Sequence, residues 1–159
     1  MATEIERKFL VFNDHWKNHA TQVIPIQQGY FCLTDRVSIR VRITDKTASL
    51  NFKSVSIGIQ HIEYEYEIPI TDAREMLESF CQKPIIEKTR HRLPENGLTW
   101  EIDVFEARNA GLIIAEIELD SVNQAIQLPD WIGREVTDDK RYYNPWLCKH
   151  PYQQWPHQP

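Results

Sequence analysis

A chain of 159 residues with 42% hydrophobic side chains is long enough for one domain with a substantial core. Its formal net charge of −5 excludes a nucleic-acid surface that works by bulk positive charge. No apolar run approaches the roughly 20 residues of a membrane-spanning helix, and Cys32, Cys81 and Cys148 form neither a C-x-x-C pair nor a zinc spacing.

With no secretion signal, so sparse a set of cysteines points to a reducing, cytoplasmic setting and a soluble protein. No linker or internal repeat divides the chain, so residues 1–159 read as a single domain, with a Pro-, Gln- and aromatic-rich tail from Pro145 onward.

In chain order, period-2 alternation predicts strands over about 3–11, 26–33, 37–44, 47–54, 60–69, 85–92, 98–105 and 112–120. Breakers separate several of them, among them Thr44-Asp45-Lys46, Pro94 to Gly97 and Arg108 to Gly111. Helical signals are fewer. Asn13-Asp14 can cap a short helix through Ala20, Thr71 or Asp72 one through Cys81, and Asp138 to Leu147 reads as a short helix or turn. Eight strands with a few helices predict an α+β protein built on a closed eight-stranded antiparallel β-barrel, helices packed outside.

Side chains alternate across a strand, so each predicted strand has two faces. The first places Glu4, Glu6 and Lys8 together. Later strands place Arg40 with Arg42, Asn51 with Lys53, and Glu63 with Glu65 and Glu67. Then come Lys88 with Arg90 and Arg92, Glu101 with Asp103, and Glu116 with Glu118. Taken one strand at a time, polar faces in contact with water explain such alternation. Taken together, the charges segregate strand by strand, whereas a face selected for solubility mixes signs. The opposite faces are crowded with aromatic and β-branched residues, enough to pack outward and leave the charged faces lining an interior.

That interior would hold seven cations (Lys8, Arg40, Arg42, Lys53, Lys88, Arg90, Arg92) and nine carboxylates. Like charges ~4 Å apart repel by roughly 4 kcal/mol at an effective dielectric of 20. The lumen is therefore sensible only if wet and completed by ligands: a polyanion on the basic side, divalent metal on the acidic side. Hard oxygen donors without a Cys or His cluster select Mg²⁺ or Mn²⁺. A linear triphosphate bridged by metal fits.

These residues resemble the CYTH, or triphosphate tunnel metalloenzyme, superfamily, of the short bacterial type. The resemblance rests on the E-x-E-x-K string Glu4, Glu6, Lys8. It continues through Gln28-Gly29-Tyr30, Ser38-Ile39-Arg40-Val41-Arg42, Glu63-Tyr64-Glu65-Tyr66-Glu67, Glu87-Lys88-Thr89-Arg90, Glu101-Ile102-Asp103, Ala115-Glu116-Ile117-Glu118 and Gly133-Arg134-Glu135-Val136-Thr137. It implies an eight-stranded tunnel in which Lys8, Arg40, Arg42, Lys53, Lys88 and Arg90 hold phosphate oxygens. Lys8, Arg42 and Lys53 would be the catalytic cations, and Tyr30 a lumen hydrogen-bond donor. Glu4, Glu6, Glu63, Glu65, Asp103, Glu116 and Glu118 would hold metals, directly or through water. His61 stands where members of the family usually carry Arg.

The implied activity is metal-dependent hydrolysis of inorganic tripolyphosphate to pyrophosphate and phosphate, with about two Mg²⁺ or Mn²⁺ ions and a small-molecule triphosphate as partner. No nucleic acid or membrane is expected, and a homodimer is compatible. The alternatives are a class IV adenylyl cyclase, a triphosphatase for thiamine triphosphate or nucleoside triphosphates, and a non-catalytic polyphosphate or nucleotide binder. Trp100, Tyr64 and Tyr66 fall on apolar faces, where they pack rather than stack on a base. His15, His19, His150 and His157 have no metal spacing and read as surface residues.

Overall fold

The computed structural model describes residues 3–156. Its strands are β1 Thr3–Val11, β2 Gln22–Leu33, β3 Val37–Ile43, β4 Ala48–Ser54, β5 Gln60–Ile68, β6 Ile86–Glu95, β7 Leu98–Phe105, β8 Ile113–Glu118 and β9 Ile132–Glu135. Two α-helices, α1 Ile70–Ser79 and α2 Asn144–Lys149, complete the set. The strands are hydrogen-bonded in the order β5-β4-β3-β2-β6-β7-β8-β1, and β1 pairs back onto β5. Every pairing is antiparallel, so eight strands form a closed ring. Closure removes most of the unpaired backbone that an open sheet would present at its edges.

All eight predicted strands are present, and the ring has an addition. β9 lies against the end of β1, pairing Phe9 with Glu135 and Val11 with Ile132. Four residues are too few to show a period. β2 also begins earlier than the alternation implied. Its first residues pair only with β6, from Gln22↔Arg92 onward, because β3 joins only at Gln27. The free side there tolerates Pro25, which has no N–H to give a ladder. The β6–β7 hairpin turns through Asn96 and Gly97, with φ of 52° and 79°. Both residues tolerate the left-handed region that a tight hairpin needs.

Three apolar clusters hold the ring. Outward-facing Phe9, Leu93, Trp100, Ile102, Ala115, Ile117 and Leu119 pack with Trp16 and Trp131. Trp100 meets Phe9 and Trp131 edge to face, with centroids 5.7 and 5.3 Å apart. Half of the barrel is thus covered by a 3₁₀ turn at His15–His19 and the irregular segment before β9 rather than by an α-helix. α1 covers the other half, setting Ala73 and Leu77 on Val41, Ile43 and Ala48. It starts directly after Pro69, two or three residues earlier than a cap at Thr71 or Asp72 implied. The loop after α1 approaches β2 so closely that a Cβ on Gly29 would lie 2.7 Å from the Cys81 Cβ.

α1 thus packs outside the barrel as expected, while the third cluster seats α2 at one end of it. Tyr30, Ile86, Phe105, Leu112 and Ile114 share the parity of the charged faces, yet they are buried against Leu147 and Cys148 of α2. The interior is apolar at this end, and α2 plugs it. Tyr152 and Trp155 pack on the same cluster, so through Pro156 the Pro-rich stretch is seated on the barrel. His15, His19 and His150 are exposed; His157 lies outside the described residues. Among the described residues no helix is long and apolar enough to cross a membrane.

Candidate active site

The strand parity read from the sequence turns the charged faces inward. One cavity, with about 880 Å³ of empty space including its open mouth, is lined by every predicted site residue except Glu65 and Asp103. Glu65 lies toward a shallower opening shared with Arg42, Ser49 and Glu67. Asp103 lies fully buried behind the wall. It accepts from Arg90 Nε at 2.7 Å, Arg90 Nη2 at 2.9 Å and Lys88 Nζ at 2.7 Å. Both its oxygens are taken up in orienting cations, not turned toward a metal.

The ring's order sets the electrostatics. β4, β5 and β1 bring Lys53, Glu63, Glu4 and Glu6 together at the β1–β5 seam. Lys53 Nζ lies 2.6 Å from Glu4 Oε2, 2.8 Å from Glu6 Oε1 and 3.7 Å from Glu63 Oε2. Burial first, then Glu6 and Glu63, push the Glu4 carboxyl up to about 8 against the pull of Lys53. Next along β1, Lys8 Nζ donates to Glu116 Oε1 at 2.6 Å and lies 3.6 Å from Glu6. Burial opposes charge on this pair, but mutual attraction wins: Lys8 is raised, and Glu116 held well below the usual carboxylate range. Glu118 lines the mouth and is exposed.

The opposite wall carries Arg40, Arg42, Lys88 and Arg90 from β3 and β6. Arg40 Nη2 reaches Glu65 at 3.5 Å and Glu63 only at 4.0 Å. Arg90 also bonds Glu101 at 3.2 Å. Among the described residues Arg42 has no carboxylate within ion-pair distance; its Nε donates to Gln28 Oε1 at 2.8 Å. Burial, then Arg40 and Arg90, pull its guanidinium down to about 10. Lys88 is drawn down to about 7 by burial against the opposing pull of Asp103, with Arg90 and Arg42 adding to the fall. Such crowding of cations is the electrostatic imprint of an anion site.

Tyr30 is almost wholly buried, its ring in the apolar cluster at the plugged end while the residue also lines the cavity. His61 does not replace a phosphate-binding arginine. Its ring is turned into the loop before β5, with Nε2 3.1 Å from Gly58 O and Nδ1 3.0 Å from Ser56 Oγ. Burial first, then Lys53, holds its pKa down.

The cavity also includes residues that the charge pattern did not single out: Ser38, Asn51, Thr137, Tyr143, Asn144 and Pro145. Ser38 and Asn51 have lumen parity and were findable on that ground. Tyr143 to Pro145 have no periodicity and reach the site only because α2 plugs the barrel. Near the C-terminus Lys140 and Arg141 are exposed, whereas Tyr142 is buried in the cluster at the plugged end. No three or more His, Cys, Asp and Glu side chains among the described residues form an open metal cage. The site instead gathers three carboxylates about the Lys53 ammonium. Such hard oxygens, already converging on one positive centre, fit a divalent cation once the ammonium swings away.

Comparison with known proteins agrees with this geometry. The sequence is 49% identical over 152 residues to an inorganic triphosphatase of Acetivibrio thermocellus, covering 96% of this chain and 97% of that protein. It is 37% identical over 147 residues to an inorganic triphosphatase of Nitrosomonas europaea, covering 89% and 94%. The crystal structure of the inorganic triphosphatase NE1496 superposes with a TM-score of 0.65 at 36% identity, covering 99% of each chain. The CYTH domain profile matches residues 2–144. A closed antiparallel ring with inward charges, two such relatives and a profile over nearly the whole chain show that this protein belongs to the CYTH domain family.

Proposed function

We propose that the protein is a divalent-metal-dependent inorganic triphosphatase that hydrolyses tripolyphosphate to pyrophosphate and phosphate inside the barrel. The observation that carries this reading is Arg42. It is a guanidinium lining the cavity with no carboxylate partner among the described residues, beside Arg40, Arg90 and Lys88 and across from an acidic wall. A buried cation without a counter-charge is costly, and a linear polyphosphate supplies several negative oxygens to the whole wall at once.

Arg40, Arg42, Lys88 and Arg90 would grip the phosphate oxygens and spread the charge that develops as the terminal P–O bond breaks. Glu4, Glu6 and Glu63 would hold Mg²⁺ or Mn²⁺, which when bound supplies Lewis-acid stabilisation of phosphate charge. Lys53, freed from them, would turn to a phosphate oxygen. Glu116 pins Lys8 at the boundary between the two walls. A carboxylate of the acidic wall would orient the attacking water and accept its proton, while pyrophosphate carries off the electrons of the broken bond. No protein nucleophile is required, so catalysis is positioning plus electrostatics.

Incubation with Mg²⁺ or Mn²⁺ and either tripolyphosphate or ATP, with phosphate and cyclic AMP measured in the same samples, tests this. Phosphate from tripolyphosphate without cyclic AMP is expected, with activity lost in EDTA. Lys8→Ala and Arg42→Ala should each lower turnover by about 10²-fold or more. Activity that survives EDTA would refute the metal, and normal turnover by both variants the site.

A further inference from the structure

We propose that Gln28 and Asn144 are positioning residues that tie Lys88 to Arg42 along one wall of the tunnel, making the C-terminal plug a working part of the anion site. The inference rests on the triphosphatase reading and assigns roles to two uncharged residues within it.

The connection is a hydrogen-bond chain whose direction is forced at both ends. Lys88 Nζ donates to Asn144 Oδ1 at 2.9 Å, and Gln28 Nε2 donates to the same oxygen at 2.8 Å. Gln28 Oε1 in turn accepts from Arg42 Nε at 2.8 Å. Arginine can only donate, and so can Lys88 in its ammonium form. Lys88 therefore fixes the Asn144 oxygen toward itself, and Arg42 fixes the Gln28 oxygen on the other side. Neither amide can flip without setting donor against donor. The chain is also dry: Gln28 is 0% exposed, Lys88 2% and Asn144 8%. A buried amide that loses one partner has no water to replace it.

Two features give this chain a role toward the anion. The Gln28 bond uses only the Nε of Arg42, which leaves both terminal nitrogens of the guanidinium for phosphate oxygens. Lys88 gives one proton to Asp103 and one to Asn144, so its remaining N–H has a single direction in which to point. Arg42 and Lys88 come from β3 and β6, which flank β2 and are not themselves paired. Gln28 on the intervening strand and Asn144 at the start of α2 set their separation, and a ligand with fixed phosphate spacing reads that separation.

Isothermal titration of tripolyphosphate into the full chain in EDTA tests the relay, with thermal unfolding recorded alongside. Gln28→Met and Asn144→Leu keep volume but cannot bond. Each is expected to weaken binding by about tenfold, and the double variant by little more than either alone, because each breaks the same chain. Variants that lose Tm but bind as wild type would overturn the relay and leave Asn144 a packing residue. Multiplicative losses in the double variant would overturn it as well. Wild-type protein that neither binds tripolyphosphate in EDTA nor hydrolyses it with Mg²⁺ would remove the triphosphatase reading, an outcome distinct from either.

Discussion

Glu4 and Lys53 show how one residue's ionisation carries the state of the site. Glu4 sits 2.6 Å from Lys53, yet its carboxyl is pushed up to about 8 because burial and the neighbouring carboxylates outweigh one ammonium. The sign follows. A carboxyl whose folded pKa is raised above its ordinary value of 4.5 binds more protons folded than unfolded between the two. Its contribution to stability therefore falls as pH rises through that window. Thermal unfolding of the wild type against Glu4→Gln should show the wild type's relative stability declining from about pH 4.5 to about 8, then levelling. A difference that stays flat would contradict the raised Glu4 pKa. Glu116 and Glu63 have the opposite sign: their pKa values are depressed, so what they contribute is present near neutrality and lost in acid.

At the level of elements, α2 decides how much of the barrel is a site. Leu147 is fully buried among Ile86, Ile114 and Phe105, and the next turn upstream places Asn144 against Lys88. Leu147→Ala should cost about 2–5 kcal/mol by leaving a cavity. The same variant should weaken tripolyphosphate binding, since the plug carries a lumen residue. Loss of stability with unchanged affinity would separate the two roles. The packing of α1 makes a second point. Gly29 has no room for a methyl group, with Cys81 Cβ at 2.7 Å and Sγ at 2.8 Å from where it would stand. Gly29→Ala is expected to destabilise by about 1–3 kcal/mol through overpacking, read by denaturant unfolding. A neutral result would mean that the segment after α1 moves aside freely.

The whole molecule is a ring closed at one short seam. β1 meets β5 through three pairs, Thr3↔Ile62, Glu4↔His61 and Ile5↔Gln60, and Lys53 of β4 bridges to Glu4 and Glu6 beside it. Binding an anion to the opposite wall and a metal to these carboxylates neutralises both sides of the lumen. Stabilisation by such ligands grows by mass action, to about 2.7 kcal/mol at a hundredfold excess over Kd. For a chain of this length that is roughly 5–10 °C in Tm. Mg²⁺ with tripolyphosphate should therefore raise Tm, and amide exchange at residues 3–5 and 60–62 should slow. If ligand shifts neither, the charged lumen is not where it binds.

The alternating charges of β1, β3, β4, β5, β6, β7 and β8 were readable along the chain, because strand period is a local property and a closed barrel converts parity directly into inside and outside. Thus Lys8, Arg42, Lys53 and Glu63 were assignable to one lumen from residue number alone. Asp103 was not, for its parity is right but its carboxylate is claimed by Arg90 and Lys88, a matter of which side chains reach first. The short β9 and the Gln28–Asn144 link depend on contacts between residues more than a hundred positions apart, and the plug on contacts between residues dozens apart, where no period exists to reveal them. By itself the sequence determined which faces carry charge, and hence the chemistry the lumen admits. Only the tertiary structure decided which end is closed, which charges neutralise one another and which stay free for a ligand, because those outcomes depend on distance in space.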